Sequence, residues 1–350
     1  MAGARQEGQG EVEEDRQALV SGRFALSVGA EASGQRLDQF VAGQRRELSR
    51  AQVQRLIREG RVRVAGEAVK AGYRVRRGQR VEVEVPPPSP SHLEPEEIPL
   101  TVLYEDECLL VVDKPAGLTV HPGAGRRGGT LVNALLAHWR GFGDMGEQLR
   151  PGILHRLDKG TSGLMVVAKE EACQRRLAES LARRELERRY LALVWEVVKE
   201  PNGRVDMPIG RHPVHRQKMA PAGFRGREAV TEYVTLERFA QMSLLECRLV
   251  TGRTHQIRVH CQWMGHSVVG DRDYGGVRGR EWGALPEAVQ AALERLQSQA
   301  LHAYRLRLAH PLDGRVMTFT SRPRDEMMAV LEALGSRVVG RLAAGSDMPE

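Results

Sequence analysis

The 350-residue chain is poor in the residues that build covalent or metal frameworks. Its 4 cysteines, Cys108, Cys173, Cys247 and Cys261, lie far apart, with no C-x-x-C pair. That spacing argues against a zinc site, so no metal is expected, and four free thiols in a reducing compartment are the simpler reading. No G-x-x-x-x-G-K-[ST] loop occurs, which excludes a P-loop nucleotidase. The zinc-deaminase ligand set is absent too, because it needs P-C-x-x-C as well as H-x-E. No apolar run approaches the roughly 20 residues of a membrane span, and the N-terminus lacks a signal-peptide core. No internal repeat is visible. A soluble, cytoplasmic protein with no membrane partner is expected.

What the chain does have is positive charge in one place. The net charge is +7, with a pI near 9.5. Residues 31–85 hold 13 Lys/Arg against 7 Asp/Glu, an excess of 6 and nearly the whole surplus. Concentrated charge of this kind suits a polyanion such as RNA. The first 22 residues run the other way, with 5 acids, 2 Arg and many Gly and Gln, and are expected to be disordered.

Periodicity inside the basic stretch predicts a small α+β unit. Leu37, Phe40 and Val41 have helical spacing. Ser49 and Gln52 form a capping-box pattern, Val53, Leu56 and Ile57 share a face, and Gly60 is a natural stop. Arg50, Arg55 and Arg58 fall largely off that apolar face. Val62/Val64 and Val81/Val83/Val85 alternate as half-buried strands. Prolines 86, 87, 88, 90, 95 and 99 then suggest an extended spacer.

Beyond it the pattern is richer in strands. Leu109–Val112 reads as a short strand and Leu164–Ala168 as a buried one. Glu187–Val198 is rich in β-formers, and Leu301–Pro311 alternates as a strand closing the sheet. Gly123–Gly129 reads as a mobile basic loop, Thr130 as a helix cap, and Pro286 as the first residue of a helix ending near Gln297. A short helix and a loose tail are expected at the end.

The most informative stretch is Gly152–Leu164, G-I-L-H-R-L-D-K-G-T-S-G-L. It places the carboxylate Asp158 between Arg156 and Lys159, at a turn leading into a buried strand. Alone, H-R-L-D would be an ordinary surface turn. The whole run resembles motif I of the RluA-type pseudouridine synthases, nearest the RluD-like enzymes of the ribosomal large subunit that carry an S4 domain. Glu187–Val198 (E-R-R-Y-L-A-L-V-W-E-V-V) resembles motif II. Leu249–His260 (L-V-T-G-R-T-H-Q-I-R-V-H) resembles motif III, continued by G-H-S-V-V-G-D-R-D-Y-G. Asp113–Pro122 and Leu301–Pro311 resemble further segments of the family. R-L-D-Q-F at 36–40 and residues 49–64 resemble the S4 RNA-binding domain. The chain departs from the family pattern at Gly160, where Asp is more frequent, at Arg188, where Lys is usual, and at Glu196, where Gly is common.

The resemblance implies an α+β protein. A catalytic domain with a mixed, largely antiparallel sheet would follow a small S4-type domain. The expected boundaries are a tail at 1–28, the S4 domain at 29–86, a linker at 87–100, the catalytic domain at 101–325, and a final helix and tail at 326–350. It also implies site-specific isomerisation of uridine to pseudouridine in RNA, without a cofactor. The expected partner is 23S rRNA or the precursor large subunit, and the chain is expected to act as a monomer. By resemblance the catalytic residues are Asp158, Tyr190, which stacks on the base, and Arg258, which ion-pairs with the carboxylate. Arg156 fills the space left by a flipped base. Arg253, His255, Arg50, Arg55 and Arg58 contact RNA, Ile257 packs near the site, and Asp271 and Tyr274 are structural. A tRNA substrate, or a non-catalytic ribosome-assembly factor of the same fold, stands as the alternative.

Overall fold

The computed structural model describes residues 22–45, 48, 50–86, 94–121, 128–139, 152–215, 218–223, 226–277 and 282–343. The capping-box Ser49 and most of the Gly123–Gly129 loop lie outside these residues. The chain divides into two compact units, Met1–Pro90 and Ser91–Glu350.

The N-terminal unit contains β1 (Gly22–Ser27), α1 (Leu37–Gln44), α2 (Arg50–Arg58), β2 (Val62–Val64), β3 (Glu67–Ala68) and β4 (Arg80–Val85). Its antiparallel sheet has the order β1-β4-β2-β3. Leu37, Phe40 and Val41 of α1 and Val53, Leu56 and Ile57 of α2 pack with Val62, Val64, Val81 and Val83, as their spacing predicts. One correction falls here. Gly22–Ser27, expected in the acidic tail, is a strand paired along all of β4. R-F-A-L-S offers alternating residues to an edge that would otherwise leave its N–H and C=O groups unpaired.

The larger unit is built on a sheet of nine strands among the described residues. They are β5 (Thr101–Glu105), β6 (Leu109–Lys114), β7 (Ser162–Ala168), β8 (Glu187–Trp195), β9 (Asn202–Asp206), β12 (Val230–Arg238), β13 (Met242–Leu249), β14 (Leu301–Ala309) and β15 (Val316–Thr320). The order is β5-β6-β7-β14-β8-β13-β12-β9, with β15 also on β14. Only β7–β14 is parallel among these pairs. Thus β14, expected to close the sheet, lies inside it. A separate hairpin pairs β10 (Ile209–Arg211) with β11 (Met219–Pro221). The helices are α3 (Leu131–His138), α4 (Glu171–Ala182), α5 (Gln256–Trp263), α6 (Glu287–Glu294), α7 (Asp325–Ala333) and α8 (Val339–Ala343).

Strand β8 is buried on both faces, because helices cover both sides. Tyr190, Ala192 and Val194 join a core with residues of α3 and α5, including Leu131, Leu135, Ile257 and Cys261. Leu191, Leu193 and Trp195 face the opposite core, under α6, α7 and α8. Thr130 caps α3 as expected: its Oγ1 accepts from Asn133 N, while Asn133 Oδ1 accepts from Thr130 N. Pro286 precedes α6 as its cap residue rather than opening it.

Two further expectations are corrected. Residues 94–100 are no free spacer: Asn133 Nδ2 donates to Glu94 O at 2.8 Å and Gly129 N to Glu96 Oε1 at 2.8 Å. Cys108 and Cys173 are not free thiols but a disulfide joining buried positions beside β6 and in α4, while Cys247 and Cys261 are free and buried. Residues 256–260, given no secondary structure from the sequence, begin a helix. Among the described residues no helix is long and apolar enough to cross a membrane.

Candidate active site

Two chain segments meet at the site, and each is held by its own backbone logic. The first is the turn before β7. Ile153 and Leu157 are buried in the core and fix its depth. Thr161 N donates to Asp158 O at 3.0 Å, closing the turn, and Gly117 N donates to Lys159 O at 2.7 Å. Gly163 has φ +112°, and a Cβ there would stand 2.3 Å from Ala303 O, so β7 approaches β14 only with glycine. Gly160, one of the departures from the family pattern, is closely packed: a Cβ would meet Gln299 Oε1 at 2.3 Å. Asp158 is left at the edge of the core, its side chain 13% exposed.

The second segment is the start of α5. His255, its N-cap residue, has φ +57°, a left-handed conformation that turns the chain sharply into the helix. Gln256 holds this bend. Its Oε1 accepts from Arg253 N at 3.0 Å and Thr251 Oγ1 at 2.8 Å, while its Nε2 donates to Val230 O and Thr231 Oγ1. Ile257 packs into the core on one side of the helix. Arg258 then projects across the gap, and its Nη1 donates to Asp158 Oδ2 at 3.2 Å.

Arg258 is itself clamped. Its Nε and Nη2 donate to the two oxygens of the fully buried Asp271 at 2.6 and 2.9 Å, and Nη2 also reaches Asp273 Oδ2 at 2.7 Å. The guanidinium carbon lies 4.9 Å from the centre of the Tyr274 ring. Burial works against the Arg258 charge, but the Asp271 contacts more than offset it and hold the group above its ordinary value. A bidentate carboxylate fixes both the orientation and the charge of the arginine that meets Asp158.

His255 Nε2 lies 3.9 Å from Asp158 Oδ1, and its Nδ1 shares a hydrogen bond with Tyr274 Oη at 2.8 Å. Burial pushes its pKa down, against the pull of Asp158. The same Tyr274 hydroxyl accepts from Met219 N at 2.9 Å, tying the β10–β11 hairpin to the site. Tyr190 is buried on β8. Burial raises its phenol, with the Asp158 charge adding to the rise and Arg188 opposing it. Lys114, fully buried, donates to Pro115 O and Leu118 O at 2.8 and 2.9 Å, and burial pushes it down to about 7 while Asp158 pulls the other way.

The structure therefore brings together Asp158, Arg258, His255 and the buried Tyr190. Arg156 is exposed, with no side-chain partner among the described residues. Arg253 Nε donates to Glu228 O at 2.8 Å. In the N-terminal unit Arg50 donates to the buried Asp38 at 3.0 Å, Arg55 lies 3.7 Å from Glu59, and Arg58 donates to Gln54 O at 3.3 Å. Arg50 thus ties α2 to α1, while Arg55 and Arg58 are engaged close to their own helix. Asp273, Gln256, Lys114 and Arg188 were missed by sequence reasoning. Burial reveals Gln256, Lys114 and Arg188, and contact with Arg258 reveals the exposed Asp273; each looks like a surface polar residue in the sequence.

Residues 108–263 match the family described as RNA pseudouridylate synthase, and residues 35–81 match the S4 domain. A protein of Aquifex aeolicus named as an uncharacterized RNA pseudouridine synthase is 42% identical over 297 residues, which cover 84% of this chain and 92% of that protein. The chain belongs to the RNA pseudouridine synthase family. The ribosomal large subunit pseudouridine synthase D of Xanthomonas campestris is 43% identical over 305 residues, 87% of this chain and 90% of that protein. Among solved structures, human RNA pseudouridylate synthase domain containing 1 is 27% identical with a TM-score of 0.51, covering 73% of this chain and 100% of that one. The synthase is accordingly an isomerase acting on RNA, with an S4 domain ahead of its catalytic domain.

Proposed function

We propose that this synthase converts uridine to pseudouridine in the 23S rRNA of the large subunit, working as a cytoplasmic monomer without a cofactor. Relatives named ribosomal large subunit pseudouridine synthase D, in Xanthomonas campestris and Zymomonas mobilis among others, support the substrate. The basic S4 domain supports a structured RNA target, recognised by shape and phosphate. Arg50, Arg55, Arg58 and Arg253 supply backbone contacts in this reading.

The observation that carries the chemistry is the contact between Asp158 and a clamped Arg258. In the reaction the N1–C1′ bond breaks, the uracil turns, and C5 bonds to C1′ as the C5 proton leaves and N1 gains one. Asp158 acts at the ribose, as nucleophile or as base, and either role uses its ionised form. A stacked uridine is out of reach, so it is flipped at a cost of a few kcal/mol. Arg156, exposed and without a side-chain partner among the described residues, fills the space left in the stem. Tyr190 stacks on the base, and Arg258 holds the carboxylate. His255 orders the same corner through Tyr274.

Pseudouridine mapping of total RNA from cells lacking the gene tests this reading. Sites lost from a 23S stem-loop, and restored by wild type but not by the nearly isosteric Asp158→Asn, are the expected outcome. Loss confined to tRNA would move the substrate, and restoration by Asp158→Asn would remove Asp158 from the chemistry.

A further inference from the structure

Arg188 lies on the same face of β8 as Tyr190, two residues before it, and is only 5% exposed. None of its five N–H donors meets a side-chain or backbone acceptor among the described residues, and its Nε is fully enclosed without a partner. Every other arginine in or beside the site is engaged or exposed. Arg258 has three carboxylates, Arg253 has Glu228 O, and Arg156 is exposed. Burying a guanidinium without a counter-charge costs several kcal/mol. A fold does not retain such a group for stability, since an apolar side chain of the same length would serve it better.

A second enclosed donor feels the Arg188 charge. Val166 N donates to His155 Nε2 at 3.3 Å, so the neutral ring carries its proton on Nδ1. That Nδ1–H is enclosed and has no acceptor. Burial, with the Arg188 charge adding to it, pushes His155 down to about 3, so the ring is neutral at physiological pH. The Arg188 charge is felt by both His155 and Tyr190, and Tyr190 in turn senses Asp158. Over its outer edge lies Gly252, which is exposed; a Cβ there would stand 3.0 Å from Arg188 Nη1 and cover it. The site has donors, positive charge and a bare approach, and lacks only an anionic acceptor.

We propose that Arg188, through the guanidinium edge that faces the exposed Gly252, receives a backbone phosphate of the RNA strand next to the flipped uridine. This rests on the RNA-isomerase reading above and makes Arg188 a positioning residue for it. A neutral uracil carbonyl would leave the buried charge unpaired, whereas a phosphodiester neutralises it and accepts two parallel N–H bonds.

The test uses the full-length synthase and a stem-loop RNA carrying whichever uridine the mapping identifies. Each phosphate around that uridine is replaced, one at a time, by a neutral methylphosphonate, and affinity is measured. One position should weaken wild-type binding about tenfold to a hundredfold, as expected for a charged hydrogen bond. The same replacement should leave Arg188→Met unaffected, and Arg188→Lys should retain most of the wild-type sensitivity. For Arg188→Met, KM should rise with kcat nearly unchanged, the salt slope of binding should fall by about 0.7, and the melting temperature should not fall. A wild type and an Arg188→Met protein equally sensitive at every phosphate would overturn the contact. So would a lower melting temperature with unchanged KM and salt slope, which would make Arg188 structural. Failure to form pseudouridine in any RNA would instead sink the underlying reading, and the affinity scan keeps the two failures apart.

Discussion

Asp271 is the residue whose replacement most directly tests how the site is held. It is fully buried, and it binds Arg258 through both oxygens while its Oδ1 also accepts from the backbone N–H groups of Asp273 and Tyr274. Asp271→Asn keeps the shape but removes the charge, and it presents an NH2 group to an arginine that has only donors. Breaking a buried ion pair from one side costs about 3–5 kcal/mol. Arg258 keeps Asp158 and Asp273, so the low end, about 3 kcal/mol, applies. In a unit of this size 1 kcal/mol moves the melting temperature by about 2–4 °C, which gives a drop of about 6–12 °C by calorimetry. The arginine would no longer be fixed against Asp158, and a misplacement near 1 Å costs about a hundredfold in turnover. RNA affinity, carried elsewhere, should hold. A variant melting within about 2 °C of wild type with full kcat would refute the claim that Asp271 sets the Arg258–Asp158 geometry.

Two glycines offer a paired stability test: Gly163→Ala should cost more than about 4 kcal/mol and largely abolish soluble expression, because its Cβ would collide with the Ala303 backbone. Gly117→Ala shares the positive φ but has open space, so only about 1–2 kcal/mol of left-handed strain is expected; equal effects on thermal melting would defeat the steric argument. In the N-terminal unit, burial pushes the Asp38 carboxyl up, but hydrogen bonds from Arg36, Gln54 and Arg50 outweigh it and hold the group well below the usual range. Its folded value is thus below the unfolded one near 3.9, so its stabilisation is present above about pH 4 and lost as the pH falls further. Melting between pH 5 and pH 2 should fall steeply in wild type and less so in Asp38→Asn; parallel curves would exclude Asp38 as a source of acid sensitivity.

Much of the fold was legible where one face of an element is apolar. The helices around Leu37–Val41 and Val53–Ile57, the strands at 62–64 and 81–85, and the buried run before Ala168 all follow from spacing, since each buries the face its periodicity marks. What was not legible was topology. Leu301–Ala309 reads as a strand from its alternation, but nothing local says that it lies between β7 and β8, where one parallel contact with Ser162 and Gly163 anchors it. Gly22–Ser27 was lost for the opposite reason. Its neighbours are acidic and Gly-rich, and only pairing with β4 distinguishes it from them. The Cys108–Cys173 pair is 65 residues apart in sequence, so their nearness depends on α4 packing against the sheet.

The site divides along the same line. The motifs that carry Asp158, Tyr190 and Arg258 are contiguous and so stand out in the sequence, and the fold does bring Asp158 and Arg258 within 3.2 Å across 100 residues. The residues that make this contact rigid come from outside those motifs or look unremarkable within them. Asp271 was expected only to be structural, yet it fixes the arginine on which the site turns. Glu196, one of the departures from the family pattern, adopts φ +66° just past β8, a conformation glycine reaches without strain. In the sequence Arg188 is a departure from the family pattern that exchanges one cation for another, and charge alone marks it as unremarkable. Burial reverses the reading, since an exposed arginine needs no partner whereas an enclosed one must find its acceptor elsewhere, and in an RNA isomerase the available acceptor is the substrate.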